Sequence, residues 1–257
     1  MKYIFFDIDG TLVNYKNKQY LIPDSTRKTI KRLKEKGHLV GIATGRQLST
    51  ALPICRELNI DNLVSDGGYG LMYKGKIIHI NPLEKEKVIP FTKELLEKKI
   101  PFAYMINPEI NELYASPLML ADKEIHNFET IPVNIDESFD YTKHNTYKIF
   151  FESYKGQEDM IKSIDVRKIM RYFDNHLAYE PDDKYKGVKE LVELDGGNVE
   201  DIVFFGDGLN DIPMFEHVPF NIAMGNAIDE LKEIACFITK DIEDDGIEYA
   251  CQYFGFI

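Results

Sequence analysis

The 257 residues suffice for one large domain or two smaller ones, each with a hydrophobic core. A net charge of −12 with ordinary globular composition argues against a surface that coats nucleic acid, but it does not exclude a small anionic substrate. The three scattered cysteines form neither a disulfide framework nor a metal-type pair, which favours a reducing, cytoplasmic location. We expect neither a signal peptide nor a membrane span, because no run approaches the roughly 20 apolar residues that a span requires.

The first predicted element is a buried strand at Lys2–Ile8, whose continuous apolar character is typical of a parallel sheet. This strand runs into Asp7-Ile8-Asp9-Gly10-Thr11. In a strand, Asp7 and Asp9 would point to the same face, where two carboxylates repel each other. A divalent cation is the simplest compensation, so the segment predicts a metal-assisted reaction site.

Strands and helices then alternate. The pattern predicts a helix from Asp24 to Gly37, a strand at Leu39–Ala43 that ends in Thr44-Gly45-Arg46, a helix at Ser49–Leu58, a short strand at Asn62–Val64 and a hairpin at Met72–Ile78. Such alternation predicts an α/β fold, with a Rossmann-like parallel sheet that carries helices on both faces.

The pattern changes after Asn81-Pro82. Helical signals at 84–99 and 157–173 flank a predicted strand at Thr146–Glu152, and a break follows at Pro181. We therefore predict an inserted α+β domain at residues 82–181 within a discontinuous core of residues 1–81 and 182–257.

Alternation resumes in the last third of the chain. A predicted helix at Tyr185–Leu194 precedes a buried strand at Asp201–Phe205, which ends in Gly206-Asp207-Gly208-Leu209-Asn210-Asp211. Three predicted strands thus end in polar segments, at 7–11, 44–46 and 207–211. In open parallel sheets ligands bind beyond the carboxyl ends of the strands, so we expect these segments to form one site.

Four segments together resemble the haloacid dehalogenase (HAD) superfamily, specifically its Cof-like hydrolases. They are Asp7–Thr11, Ala43–Arg46, Lys186-Gly187 at the start of a helix, and Gly206–Asp211, and they follow the family's order. The long insertion lies between the second and third segments, as in members with a C2-type cap domain that closes over the site. Phosphomutases of the family carry theirs between the first and second segments, which makes that interpretation less favoured.

The resemblance implies roles for individual residues. Asp7 would be the nucleophile that forms an aspartyl-phosphate, and Asp9 would be the general acid and then the base. Mg²⁺ would be held by Asp7, the main-chain carbonyl of Asp9 and Asp207, with Asp211 binding it directly or through water. The implied phosphate-binding set is Ile8, Gly10, Thr44, Gly45, Arg46, Lys186 and Asn210.

Some of these assignments stay open in the sequence. The neighbouring Lys184 and Lys189 leave the register of the lysine uncertain, and Arg46 can simply pair with a carboxylate. Relatives commonly carry Asn-Gly where this chain has Asp66-Gly67, so the role of the side chain at position 66 is also open.

The implied function is a Mg²⁺-dependent phosphatase of small phosphorylated metabolites, either sugar phosphates or a phosphorylated cofactor such as pyridoxal phosphate or a flavin nucleotide. A phosphotransferase or phosphomutase on the same core is the alternative. A non-catalytic sugar-phosphate-binding regulator is disfavoured, because the motif residues are intact. We expect a monomer or homodimer with neither a nucleic-acid nor a membrane partner.

Overall fold

The computed structural model describes residues 1–16, 19–121, 123–128, 131–154, 156, 160–165, 169–171, 175–181 and 183–257, without the side chain at position 16. The chain forms two compact units. The core unit comprises Met1–Arg46, Ala51–His79 and Asp183–Ile257, and the insert unit comprises Gln47–Thr50 and Ile80–Asp182. The predicted domain boundaries place the short segment Gln47–Thr50 in the core, whereas it clusters with the insert.

The first part of the chain contains β1 (Tyr3–Phe6), β2 (Asn14–Lys16), β3 (Gln19–Leu21), α1 (Asp24–Glu35), β4 (Leu39–Ala43), α2 (Leu48–Glu57), β5 (Leu63–Ser65), β6 (Gly70–Tyr73) and β7 (Lys76–Ile80). The insert contains α3 (Lys85–Glu97), β8 (Phe102–Met105), β9 (Leu113–Ala115), β10 (Asn127–Phe128), β11 (Ile131–Ile135), β12 (Lys148–Glu152), β13 (Ile169–Arg171) and β14 (His176–Tyr179). The last part contains α4 (Lys184–Leu194), β15 (Ile202–Gly206), α5 (Ile212–His217), β16 (Phe220–Ala223), α6 (Asp229–Glu233), β17 (Phe237–Ile238) and α7 (Gly246–Tyr253).

The core unit is built on one sheet with the strand order β17-β16-β15-β1-β4-β5-β6-β7. From β17 to β5 neighbouring strands are parallel, and β6 runs antiparallel to β5. All residues of the central strand β1 are buried, as expected of a strand with a neighbour on each side and helices on its faces. The predicted α/β fold with a parallel core sheet is confirmed.

The sheet register positions the candidate site. Phe6 of β1 pairs with Phe205 of β15, and their rings stack with centroids 4.8 Å apart. The backbone N–H of Asp7 then donates to the carbonyl oxygen of Phe205 at 2.9 Å. The polar segments that follow β1 and β15 therefore leave the sheet side by side.

The insert unit has its own sheet, with the order β10-β11-β9-β8-β12-β14-β13. Helix α3 covers it through the fully buried Phe91, whose ring meets those of Phe151 and Tyr179 edge-on. The sheet also contains a buried ion pair between Lys148 Nζ and Glu180 Oε2 at 2.6 Å, with side chains only 3% and 6% exposed.

One predicted helix of the insert is wrong. Where the helical pattern covers residues 157–173, the structure has strand β13, which pairs antiparallel with β14. Non-local pairing has overridden the local periodicity, a usual outcome for short apolar segments. The rest of that helix lies partly outside the described residues, at 157–159, 166–168 and 172–173. Within the described part of the chain, no helix is both long and apolar enough to cross a bilayer.

Candidate active site

The centre of the site is formed where β1 and β15 end. Asp7 follows β1 and is 3% exposed, and Asp207 follows β15 and is half-buried. Gly10 has a φ of +79°, and a Cβ atom at this position would lie 2.0 Å from Asp207 Oδ2. Only glycine fits here, because any side chain would collide with the carboxylate and strain the backbone.

A buried lysine joins two of the carboxylates. The Nζ of Lys184 donates to Asp7 Oδ1 at 2.8 Å and to Asp211 Oδ1 at 2.6 Å. The second oxygen of Asp211 accepts from the backbone N–H groups of Asp207 at 3.0 Å and Gly208 at 3.1 Å. These contacts tie β1, α4 and the loop after β15 together at one point.

The sequence gives no individual role to Thr11, which is fully buried and donates from Oγ1 to Asp207 Oδ1 at 2.8 Å. Its hydroxyl fixes the orientation of that carboxylate. In the sequence, only the position of Thr11 inside the first motif indicates a role for it, because its partner Asp207 lies on a distant segment of the chain.

Burial and mutual repulsion dominate the electrostatics of the cluster. Burial raises the pKa of Asp7 well above its usual range, against the Lys184 ammonium, and the nearby Asp211, Asp207 and Asp9 add to the rise. Burial and the charge of Asp211 raise the pKa of Asp207 to about 7. Burial alone would lower the pKa of Lys184, but Asp211 and Asp7 outweigh it and raise that pKa.

The donor set suits a divalent metal ion. Carboxylate oxygens of Asp7, Asp207 and Asp211 lie within 4.8 Å of one another. Three carboxylates against one ammonium leave an excess of negative charge, and hard oxygen donors are what Mg²⁺ and similar cations bind. Burial and the neighbouring carboxylates raise the pKa of Asp7 and of Asp207, and a bound cation would oppose both effects. These residues therefore fit a bound divalent cation.

The structure does not place the predicted lysine, Lys186, in the carboxylate cluster, where the neighbouring Lys184 lies instead. Lys186 is exposed, and its backbone N–H instead donates to the capping carboxylate of Asp183 at 3.2 Å. The buried face of α4 carries Lys184, Gly187, Val188, Leu191 and Val192. Gly187 belongs to the motif because a Cβ there would lie 2.5 Å from Val64 Cγ1, so glycine lets the helix pack against β5.

Asp9 is held by two side chains and is more exposed than Asp7. It accepts from Arg46 Nε at 2.8 Å, from Arg46 Nη2 at 2.6 Å and from the Tyr15 hydroxyl at 2.7 Å. Arg46 also contacts the Tyr15 hydroxyl. Burial would raise the pKa of Asp9, but the hydrogen bonds and charge of Arg46 and the bond from Tyr15 lower it. Arg46 thus pairs with a carboxylate, which the sequence left open.

The other predicted phosphate-binding residues surround the same strand ends. Thr44 is buried after β4, and its Oγ1 accepts from the backbone N–H of Arg46 at 3.1 Å. Gly45 and Asn210 are half-buried, and the carbonyl oxygen of the buried Ile8 accepts from Leu12 N at 2.9 Å. Their roles toward phosphate stay predictions.

Position 66 lies in the loop that supports the start of α4. Asp66 is buried, accepts from Ser65 Oγ at 2.8 Å, and donates from its backbone N–H to the carbonyl oxygen of Arg46 at 2.8 Å. In the same loop the carbonyl oxygen of Gly67 accepts from the N–H of Asp183 at 2.7 Å, immediately before Lys184. The loop therefore fixes the start of the helix that carries the site lysine.

Comparison with known proteins identifies the family of this chain. A model of the haloacid dehalogenase-like hydrolase family matches residues 4–251. YkrA of Bacillus subtilis (strain 168), whose name assigns it provisionally to the phosphatases, is 33% identical over 259 residues, covering all of this chain and 98% of its own. The 5-amino-6-(5-phospho-D-ribitylamino)uracil phosphatase YwtE of the same organism is 28% identical over 283 residues, covering 97% of this chain and 96% of its own.

Among solved structures, a hypothetical protein from Geobacillus kaustophilus HTA426 superposes with a TM-score of 0.82 at 30% identity, covering all of this chain and 99% of its own. The chain therefore belongs to the haloacid dehalogenase-like hydrolases. The predicted family and enzyme class, a HAD-type phosphatase, are confirmed.

Two matched lysine variants test which residue serves the site. Lys184→Met should lower phosphate release from a phosphomonoester by about 100-fold or more, because it removes a fixed positive charge beside Asp7. It should also destabilise the fold by about 3 kcal/mol, since buried carboxylates lose their partner. Lys186→Met should stay within about 2-fold of wild type and within about 0.5 kcal/mol in urea unfolding, as expected of an exposed residue. A larger loss of activity in Lys186→Met than in Lys184→Met would instead favour Lys186 as the lysine of the site.

The raised pKa of Asp207 makes the stability of the metal-free protein depend on pH. Its folded-state pKa of about 7 lies above the ordinary value of 3.8, so the folded protein keeps a proton that the unfolded chain releases. The free energy of unfolding of wild type minus that of Asp207→Asn should therefore fall from about pH 4 to pH 7 and then level off. The steepest slope should be about 1.4 kcal/mol per pH unit. Urea unfolding in chelator measures this difference, and a constant value across the window would contradict the raised pKa.

Proposed function

We propose that this HAD-type phosphatase hydrolyses small phosphomonoesters in two steps, through a covalent phosphate on Asp7, with Mg²⁺ as its cation. The supporting observation is the buried cluster in which Lys184 contacts both Asp7 and Asp211 beside Asp207. A carboxylate that is buried, paired with a fixed ammonium and adjacent to further oxygen donors suits nucleophilic attack on phosphorus.

In the first step a carboxylate oxygen of Asp7 forms a bond to phosphorus while the bond to the ester oxygen breaks. Lys184, held 2.8 Å from Asp7 Oδ1, orients the nucleophile and offsets charge on the transferred group. Asp9 gives its proton to the departing ester oxygen, and the anionic phosphate nearby favours that protonated form. The products are an alcohol and aspartyl-phosphate on Asp7.

In the second step water attacks the phosphorus of the aspartyl-phosphate, and Asp9, now ionised, accepts the proton of that water. The bond between phosphorus and the Asp7 oxygen breaks, which releases inorganic phosphate, regenerates the Asp7 carboxylate and leaves Asp9 protonated for the next cycle. When bound by Asp7, Asp207 and the Asp9 carbonyl, with Asp211 directly or through water, Mg²⁺ would neutralise negative charge between nucleophile and phosphate. The proposed hydrogen-bond donors to the phosphate oxygens are Thr44, Gly45 and Asn210. The turn at Gly10 would leave room for the phosphate group.

The proposed substrates are sugar phosphates or a phosphorylated cofactor or its precursor. The similarity to YwtE supports the second class, since that relative is described as a phosphatase of a phosphorylated ribitylaminouracil. Both classes present a phosphomonoester to the same centre. A single chemistry at Asp7 therefore serves either substrate.

The covalent mechanism predicts a severe loss in Asp7→Asn. An amide is a far weaker nucleophile than a carboxylate, so phosphate release from p-nitrophenyl phosphate with Mg²⁺ should fall by about 10³-fold or more. Asp24→Asn is the matched control, because that side chain is 91% exposed and belongs to none of the motifs. Excess chelator should abolish wild-type activity, and Mg²⁺ should restore it. Unchanged turnover in Asp7→Asn, or full activity in chelator, would contradict the proposal.

A substrate screen tests the proposed chemistry of the leaving group. Phosphate release should be measured over sugar phosphates, pyridoxal phosphate, flavin mononucleotide and 5-amino-6-(5-phospho-D-ribitylamino)uracil, and ranked by kcat/KM, which measures discrimination. We expect one of these compounds to exceed p-nitrophenyl phosphate by about 10-fold or more, since specific contacts add to transition-state binding. Formation of a second phosphorylated product instead of free phosphate would favour a phosphotransferase or phosphomutase.

A further inference from the structure

Tyr15 is a residue of the hairpin after the first motif that neither the motif nor the mechanism above uses. It lies in β2 and pairs across the hairpin with Tyr20 of β3. The base of this hairpin is fixed, because Asn14 Nδ2 donates to Glu243 Oε1 at 2.8 Å and Asn14 Oδ1 accepts from the backbone N–H of Tyr15 at 2.7 Å. The Tyr15 hydroxyl therefore reaches its partner from an anchored backbone.

That partner is the acid–base residue. Asp9 Oδ1 accepts from both the Tyr15 hydroxyl at 2.7 Å and Arg46 Nη2 at 2.6 Å, while Oδ2 accepts from Arg46 Nε at 2.8 Å. The Asp9 side chain is 46% exposed, so packing alone does not hold it in one orientation. Three donors on two oxygens restrict the rotation of the carboxylate, and because Oδ1 accepts two of them and Oδ2 only one, Oδ2 has the greater remaining acceptor capacity for proton transfer.

The arrangement matches one half of the reaction. All three contacts donate to Asp9, so they suit its ionised form, an acceptor only. That form is the one required after the leaving group has departed, when Asp9 accepts a proton from the hydrolytic water. It is not the form that protonates the ester oxygen.

We infer that Tyr15 is a positioning residue that, together with Arg46, holds the Asp9 carboxylate for hydrolysis of the aspartyl-phosphate. This inference rests on the proposed two-step function. Tyr15 acts through Asp9 and not by touching the phosphate, so its loss slows the second step and spares the first when the leaving group needs no proton.

The test is Tyr15→Phe with p-nitrophenyl phosphate, whose leaving group departs without protonation. The variant keeps the aromatic ring and loses only the hydroxyl. Residue 15 is 51% exposed, so we expect little effect of the change on packing. In rapid-mixing experiments we expect an unchanged burst of nitrophenol, close to one equivalent per enzyme, followed by turnover about 10-fold slower than wild type. Because both kcat and KM fall in proportion, kcat/KM should stay within about 2-fold.

The hairpin supplies a matched control. Tyr20→Phe removes a hydroxyl from the cross-strand neighbour, where it donates to Glu57 Oε2 at 3.0 Å, and should leave both phases unchanged. Equal slowing of burst and turnover in Tyr15→Phe, a fall in kcat/KM, or wild-type behaviour in both phases would overturn the inference.

Asp9→Asn separates this inference from the proposed function. It should trap phosphorylated enzyme whatever Tyr15 does, because it removes the base itself. If Asp9→Asn accumulates phosphoenzyme and Tyr15→Phe does not, the inference about Tyr15 is wrong and the covalent mechanism stands. If neither variant nor wild type ever forms phosphoenzyme, the proposed function fails first.

Discussion

The contact of Lys184 with both Asp7 and Asp211 is the interaction on which the site depends. Two buried carboxylates with side chains 4% and 0% exposed would repel each other strongly without it. The lysine is itself 2% exposed and tolerates burial because both partners accept from its ammonium group. The same contacts also connect three parts of the fold, namely the central strand, the first turn of α4 and the loop after β15. The ammonium group of Lys184 therefore both offsets part of the negative charge and fixes the geometry of the site.

The sheet makes this concentration of charge possible. Parallel strands deliver their carboxyl ends to one edge, and the adjacency of β15, β1 and β4 brings together segments that are far apart in the chain. Asp9 follows β1 and Arg46 follows β4, so their ion pair is a direct product of strand order. Backbone N–H groups at Asp207 and Gly208 complete the set by donating to Asp211.

The strand ends were predictable from the sequence, because a buried apolar run followed by carboxylates has few structural explanations. Asp7 and Asp207 are predicted in this way, and the structure brings their carboxylates together. The sequence prediction selects Lys186 because Gly187 follows it, whereas Lys184 is the lysine that contacts the carboxylates. Lys184 and Gly187 are three residues apart on the buried face of α4, so the 3.6-residue repeat could have identified it. Thr11 leaves no such signal, because its partner Asp207 lies on a distant segment, and Tyr15 leaves none, because it reaches Asp9 from a hairpin that the sequence pattern does not predict. The helix expected at 157–173 is wrong at the strand β13, because pairing with β14 overrides the local pattern.

The buried pair of Lys148 and Glu180 in the insert sheet has a consequence for how this family member can change. Exchange of either residue alone removes this ion pair from a charge that stays buried, which is costly, whereas exchange of both for apolar residues of similar volume costs little. Substitutions at the two positions are thus coupled. The ion pair can be replaced during evolution only through a destabilised single variant or by a simultaneous double substitution. The register of β12 against β14, which brings these side chains together, is preserved by that barrier as much as by its hydrogen bonds.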